Sequence, residues 1–150
     1  MEPDPRSSLT ALYEAVLDAW NAADADAFAA GFADDGVIVG FDGSQHAGRA
    51  EIAKQIGLIF ADHRTGRYVG KVRDVRPVGE KGAILRAVAG VVPAGQTDLN
   101  PQLNSVQSIT AEVRDGRWHI VHYQNTPAAL HGRPDLADAL TNELRALRSI

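Results

Sequence analysis

Apolar residues at Leu9, Leu12, Tyr13, Val16, Leu17 and Trp20 recur at steps of three, one, three, one and three, with Glu14 and Asp18 outside the series. That spacing predicts a helix with one buried stripe. Asp24 is placed to cap a short second helix through Ala30, with Phe28 as its apolar anchor and Gly31 as its stop. Val37 to Phe41 reads as a strand closed by the turn pair Asp42-Gly43. A third helix is expected from about Arg49, because Ile52, Ile56, Ile59, Phe60 and His63 repeat at four, three, one and three before Thr65-Gly66 ends it. His63 then falls at the edge of the core.

Beyond Gly66 the period shortens to that of strands. Arg67 to Val78, Ala83 to Val92, Gln102 to Val113 and Arg117 to Asn125 are the expected strands, with turns at Gly79 to Gly82 and Asp115-Gly116 and a loop from Pro93 to Pro101. A last helix over 134–148 opens on Pro134 and carries Leu136, Leu140, Leu144 and Leu147 on one stripe. Helices followed by hairpin-linked strands predict an α+β fold, an antiparallel sheet with helices on one face.

Composition narrows the class. The 150 residues are 45% hydrophobic and 23% charged, which fits one globular domain over 1–150, with 1–8 as a flexible N-terminus. The absence of Cys removes thiolate nucleophiles, disulfides and Cys-held metals. A net charge of −4 argues against a nucleic-acid partner. Arg64, Arg67, Lys71, Arg73, Arg76, Lys81 and Arg86, with Tyr68 as their sole interleaved aromatic, read as a solvated strand face. The first eight residues lack the apolar run of a signal peptide, and Ala83 to Val92 is too short to span a bilayer, so a cytoplasmic protein without a membrane partner is expected.

Counting the last hairpin back from Asp115-Gly116 pairs Val113 with Trp118, Ala111 with Ile120, Ile109 with His122 and Gln107 with Gln124. One face then runs from apolar near the turn to polar at Gln107, His122 and Gln124, as a cavity end would, or a subunit interface or sheet edge. On that pairing, Leu at both Gln107 and Gln124 would leave the fold intact. A bulge in either strand would exchange the faces and bring Tyr123 and Asn125 inside. Arg86, in an otherwise apolar run, either pairs with a carboxylate or faces a cavity or interface. No metal site is expected: His119 and His122 are three apart on a strand and point to opposite faces, while His46 and His63 belong to different elements. With no phosphate loop, dinucleotide fingerprint or nucleophile elbow, no cofactor is expected either, and the candidate proton-transfer groups are Asp42, His46, His122 and Tyr13.

The strings Trp20 to Phe28, Gly48-Arg49-Ala50-Glu51-Ile52, Asp115-Gly116-Arg117-Trp118 and Gln124-Asn125-Thr126-Pro127, in that order, resemble the SgcJ/EcaC group of the SnoaL-like, nuclear transport factor two-like superfamily. The resemblance implies a cone-shaped α+β barrel, with N-terminal helices packed on a curved sheet around a blind pocket, and homodimerisation through the sheet. Its relatives include polyketide cyclases, ketosteroid isomerases and non-catalytic association domains, and some members belong to enediyne biosynthesis. The isomerase pattern is not matched, because Val37 to Phe41 holds no carboxylate ahead of Asp42. Two functions follow as expectations. The first is a pocket for a small apolar, polyketide- or polyene-like metabolite, with or without a cofactor-free proton-transfer step. Trp20, Phe28, Val39, Phe41, Ile56 and Phe60 would form its wall, with polar contacts from His46, Arg86, Gln107, His122, Gln124 and Asn125. The second is a non-catalytic association module. In either, Val69, Val75, Val106 and Val121 are the apolar candidates for the outer, dimer-forming face.

Overall fold

The structure, a computed structural model, describes residues 4–148. Helix α1 (Pro5–Asn21) starts ahead of its apolar stripe because the Asp4 carboxylate accepts the Ser7 N–H at 3.2 Å and Pro5 occupies the first turn, where no N–H is needed. Residues 5–8, expected as flexible, are therefore helical, and residues 1–3 lie outside the described residues. The helix buries Leu9, Tyr13, Val16 and Ala19. Asp24 caps α2 (Ala25–Ala30) as expected, accepting the Ala27 N–H at 3.0 Å. Helix α3 (Arg49–Asp62) buries Ile52 and Ile56. It stops short of Thr65-Gly66, because His63 turns extended at its C-terminus and is exposed rather than at the core edge.

The strands β1 (Phe32–Val39), β2 (Gln45–Ala47), β3 (Arg67–Val78), β4 (Gly82–Val92), β5 (Ser105–Arg114) and β6 (Arg117–Pro127) form one curved sheet in the order β2-β1-β6-β5-β4-β3. The fold is α+β, but the sheet is not antiparallel throughout. Strands β1 and β6 run parallel, which the long connection between them through α3 and four strands permits. Their register shifts between Phe32 and Val37, around Gly36, where a Cβ would lie 2.8 Å from the Ile120 carbonyl oxygen.

The β5–β6 hairpin turns through Asp115 and Gly116, at φ 55° and 75°, and keeps the expected pairing as far as Ala111 opposite Ile120. There Val121 is left over, so Thr110 faces His122, Ile109 faces Tyr123 and Gln107 faces Asn125. The expected pairs of Ile109 with His122 and Gln107 with Gln124 are thus corrected. The physical reason is burial: Ile120 and Tyr123 are 0% and 4% exposed. Residues three apart share one face of a strand only across a bulge.

The main core fills the space between α1, α2, α3 and the inner face of the sheet. A second cluster lies beneath α4 (Pro134–Ala146), where Leu144, Leu140 and Leu147 meet Val69, Val88, Val92 and Leu99. Gly90 permits that close approach, since a Cβ there would stand 3.1 Å from both Leu144 and Leu99. Helix α4 therefore covers part of the outer face, and Glu143 ties it down by ion pairs to Lys71 and Arg73. Among the four valines expected on the free outer face, Val69 lies under α4, Val75 packs on the main core, Val121 sits at the bulge, and Val106 stays 50% exposed.

Candidate functional site

A cavity of about 290 Å³ remains between the helices and the inner face of the sheet. Leu17 and Trp20 of α1, Phe28 of α2, Ile38 of β1, Ile56 and Ile59 of α3 and Phe41 form its apolar wall. Tyr68, Gln107, Tyr123 and Asn125 form its polar end, while Gly40, Asp42, Ser44 and His46, of which Asp42 and Ser44 are exposed, mark its mouth. The wall is held by aromatic contacts: the Trp20 ring meets Phe60 and Tyr68 edge-on at 5.1 and 5.7 Å, and Phe32 stacks between Phe28 and Tyr123 at 6.1 and 6.3 Å. The end of α1 is tied to the start of β3. The Trp20 Nε1–H donates to the Gly66 carbonyl at 3.1 Å, and Asn21 both donates to the Tyr68 carbonyl (3.0 Å) and accepts the Tyr68 N–H (2.8 Å).

At the polar end, Gln107 Oε1 accepts the Tyr13 O–H at 2.6 Å and the Tyr123 O–H at 3.2 Å. Gln107 Nε2 donates to Asn125 Oδ1 at 3.1 Å, and Asn125 Nδ2 donates to the Tyr68 hydroxyl oxygen at 3.2 Å. Burial decides the direction of this chain. Reversing both amides would turn the Gln107 amine toward Tyr13 and Tyr123 and leave two buried phenol hydrogens without acceptors, at about 1–3 kcal/mol each. In the observed direction the Tyr13 and Tyr123 hydroxyls both donate within the protein. Burial also pushes the Tyr13, Tyr68 and Tyr123 hydroxyls above the ordinary phenol range, so they stay protonated at neutral pH.

Trp20, Phe28, Phe41, Ile56, His46, Asp42, Gln107 and Asn125, all singled out from the sequence, line the cavity. The other candidates stand elsewhere. Val39 alternates to the opposite side from Ile38, and Phe60 lies behind Trp20. Tyr13 supports Gln107 from behind, buried in the core. Beyond the bulge, His122 and Gln124 face outward and bond each other at 3.1 Å. Arg86 is exposed on the outer face, its Nε–H donating to Asp74 at 3.1 Å, the carboxylate pairing that its sequence context favoured. Sequence reasoning brought Tyr123 inside only with the bulge, and it missed Ile38 and Tyr68 as lining residues, along with Leu17 and Ile59, which stood on recognised helical stripes.

Asp42 accepts the Ser44 N–H at 2.9 Å, which holds its carboxyl below the usual carboxylate range and makes it a poor proton acceptor. His46 is the half-buried titratable side chain beside it at the mouth. Among the described residues no group of three His, Asp or Glu side chains is placed to hold a metal ion.

A family model described as the SnoaL-like domain matches residues 9–129, a span that contains every residue lining the cavity. No curated protein matches. Among solved structures, a domain of unknown function with a cystatin-like fold from Nostoc punctiforme PCC 73102 is similar at 26% identity and a TM-score of 0.80, over 96% of both chains. A ketosteroid isomerase-like protein from Erwinia carotovora atroseptica SCRI1043 is similar in fold at 19% identity and a TM-score of 0.66, over 83% of this chain and 97% of the other. A protein from Thiobacillus denitrificans ATCC 25259, named as a calcium/calmodulin-dependent protein kinase type II association domain, is similar at 18% identity and a TM-score of 0.69, over 84% and 98%.

Proposed function

Because the chain belongs to the SnoaL-like domain family, we propose that it binds a small, largely apolar metabolite in the cavity between its helices and sheet. The observation that carries this reading is the unfilled space itself: about 290 Å³ bounded by aromatic and aliphatic side chains, with a few convergent polar groups at one end. An association module with a vestigial pocket would be expected to fill that space with its own side chains. A polyketide- or polyene-like compound is the proposed ligand class, with a compact ring system inside and any longer chain projecting past Asp42 and Ser44. Where turnover accompanies binding, the proposed step is a cofactor-independent isomerisation, cyclisation or hydration, with His46 moving the proton. Membership of the SgcJ/EcaC group and a cytoplasmic location belong to the same proposal, the membership resting on the ordered strings from Trp20 to Pro127.

Native mass spectrometry of the freshly purified protein, followed by solvent extraction, tests the reading. A small apolar molecule is expected, bound to the parent and lost in the cavity-filling variant Ile59→Trp. A parent that carries no such molecule and takes up none of a panel of one- and two-ring compounds would contradict it. One observation favours a second role alongside the first. Val106 is 50% exposed on the outer face of β5, beyond the cover of α4, and a homodimer through that face is proposed.

A further inference from the structure

The relay at the polar end of the cavity has a defined polarity, and it terminates at Tyr68. Tyr13 and Tyr123 donate into Gln107, Gln107 donates into Asn125, and Asn125 donates into the Tyr68 oxygen. The Tyr68 oxygen is thereby used as an acceptor, while its O–H has no acceptor among the described residues and belongs to a side chain that lines the cavity. The ring is held in place, since Asn21 fixes the Tyr68 backbone by two hydrogen bonds and Trp20 packs edge-on with it at 5.7 Å.

We propose that the Tyr68 phenol selects the ligand by donating its O–H to a neutral carbonyl oxygen carried by an otherwise apolar molecule. This rests on the small-molecule reading and adds the ligand's functional group to it. Neutrality follows from the lining: among the described residues no Lys or Arg borders the cavity, and His46 stands at its mouth beside the Asp42 carboxylate, so an anion at the Tyr68 end would meet no fixed counter-charge. A donor group on the ligand is disfavoured for the same reason that fixes the relay. Gln107 Oε1 already accepts two hydrogen bonds within the protein, and the Asn125 Oδ1 and Tyr68 oxygens accept one each, whereas the Tyr68 O–H is left to donate.

Two probes of similar shape separate the possibilities: 2-acetylnaphthalene, which carries a carbonyl, and 2-ethylnaphthalene, which does not. Affinities are measured by calorimetry for the parent, for Tyr68→Phe and for Asn125→Asp. Tyr68→Phe removes the O–H and keeps the ring. Asn125→Asp keeps the phenol but replaces the donor facing it with a carboxylate, which still accepts from Gln107 and now draws the Tyr68 O–H back into the protein. Each variant is expected to weaken the ketone by about tenfold while holding the hydrocarbon within about twofold of the parent. Equal weakening of both probes, or a ketone affinity unchanged in either variant, overturns the inference while leaving the pocket reading in place. Failure of the parent to bind either probe overturns both.

Discussion

Gln107 and Gln124 lie on neighbouring strands and differ in everything that matters to a side chain. Gln107 is 2% exposed and serves Tyr13, Tyr123 and Asn125 at once, whereas Gln124 is half-exposed on the outer face beside His122. Leu at position 107 would strip the acceptor from two buried phenol hydrogens, so Gln107→Leu is expected to cost about 2–4 kcal/mol of folding stability in urea titration. Gln124→Leu is expected to stay within about 0.5 kcal/mol of the parent. The assumption that the two amides face one another and are jointly dispensable does not survive the bulge, and equal destabilisation by the two substitutions would count against the observed register. Tyr68 was illegible in the sequence for a related reason. Its role depends on an amide 57 positions away, and no local spacing reports that contact.

At the scale of elements, the helices were legible because burial along one side imposes a period of 3.6, and because Asp24 and Pro134 occupy positions that start helices. The hairpin was legible from Asp115-Gly116 down to Ala111 and no farther. Val121 is apolar and suits either face, so the alternation carries no mark at the residue that is extra. What marks it is the pair Ile120 and Tyr123, two large buried side chains an odd number of residues apart. Strand β2 and the parallel β1–β6 pairing left no pattern either, since Gln45-His46-Ala47 has no alternation to read. Helix α4 supplies the pH prediction. Hydrogen bonds and charge from Arg73, then Lys71, lower the Glu143 carboxyl from 4.5 to about 2. A carboxyl lowered by folding stabilises the fold above its unfolded value and loses that contribution as pH falls from about 4.5 toward 2. Both cations are more than a third exposed, so solvent screening holds the effect to about 1 kcal/mol. Amide protection in α4 of the parent, with the intrinsic pH dependence of exchange divided out, is expected to fall by about fivefold over that window, and in Glu143→Gln to be lower by about that factor already at pH 6. Identical exchange profiles for the two proteins would remove Glu143 as the anchor of α4.

For the molecule as a whole, the helices and α4 divide the sheet into a covered inner face, a covered patch over β3 and β4, and an open outer face around Val106. Sedimentation at micromolar concentration is expected to give a dimer that Val106→Glu shifts toward monomer, and a parent that sediments as a monomer would reject the proposed interface. The account turns, however, on whether the interior space admits a ligand. Isoleucine methyl NMR reads this directly, because Ile38, Ile56 and Ile59 line the cavity while Ile84 lies apart from it on β4. Titration with 2-ethylnaphthalene is predicted to shift the methyl signals of Ile38, Ile56 and Ile59 along saturable curves with a common midpoint and to leave Ile84 in place. No shift up to the solubility limit of the probe, or a shift of Ile84 as large as those of the cavity residues, would contradict it.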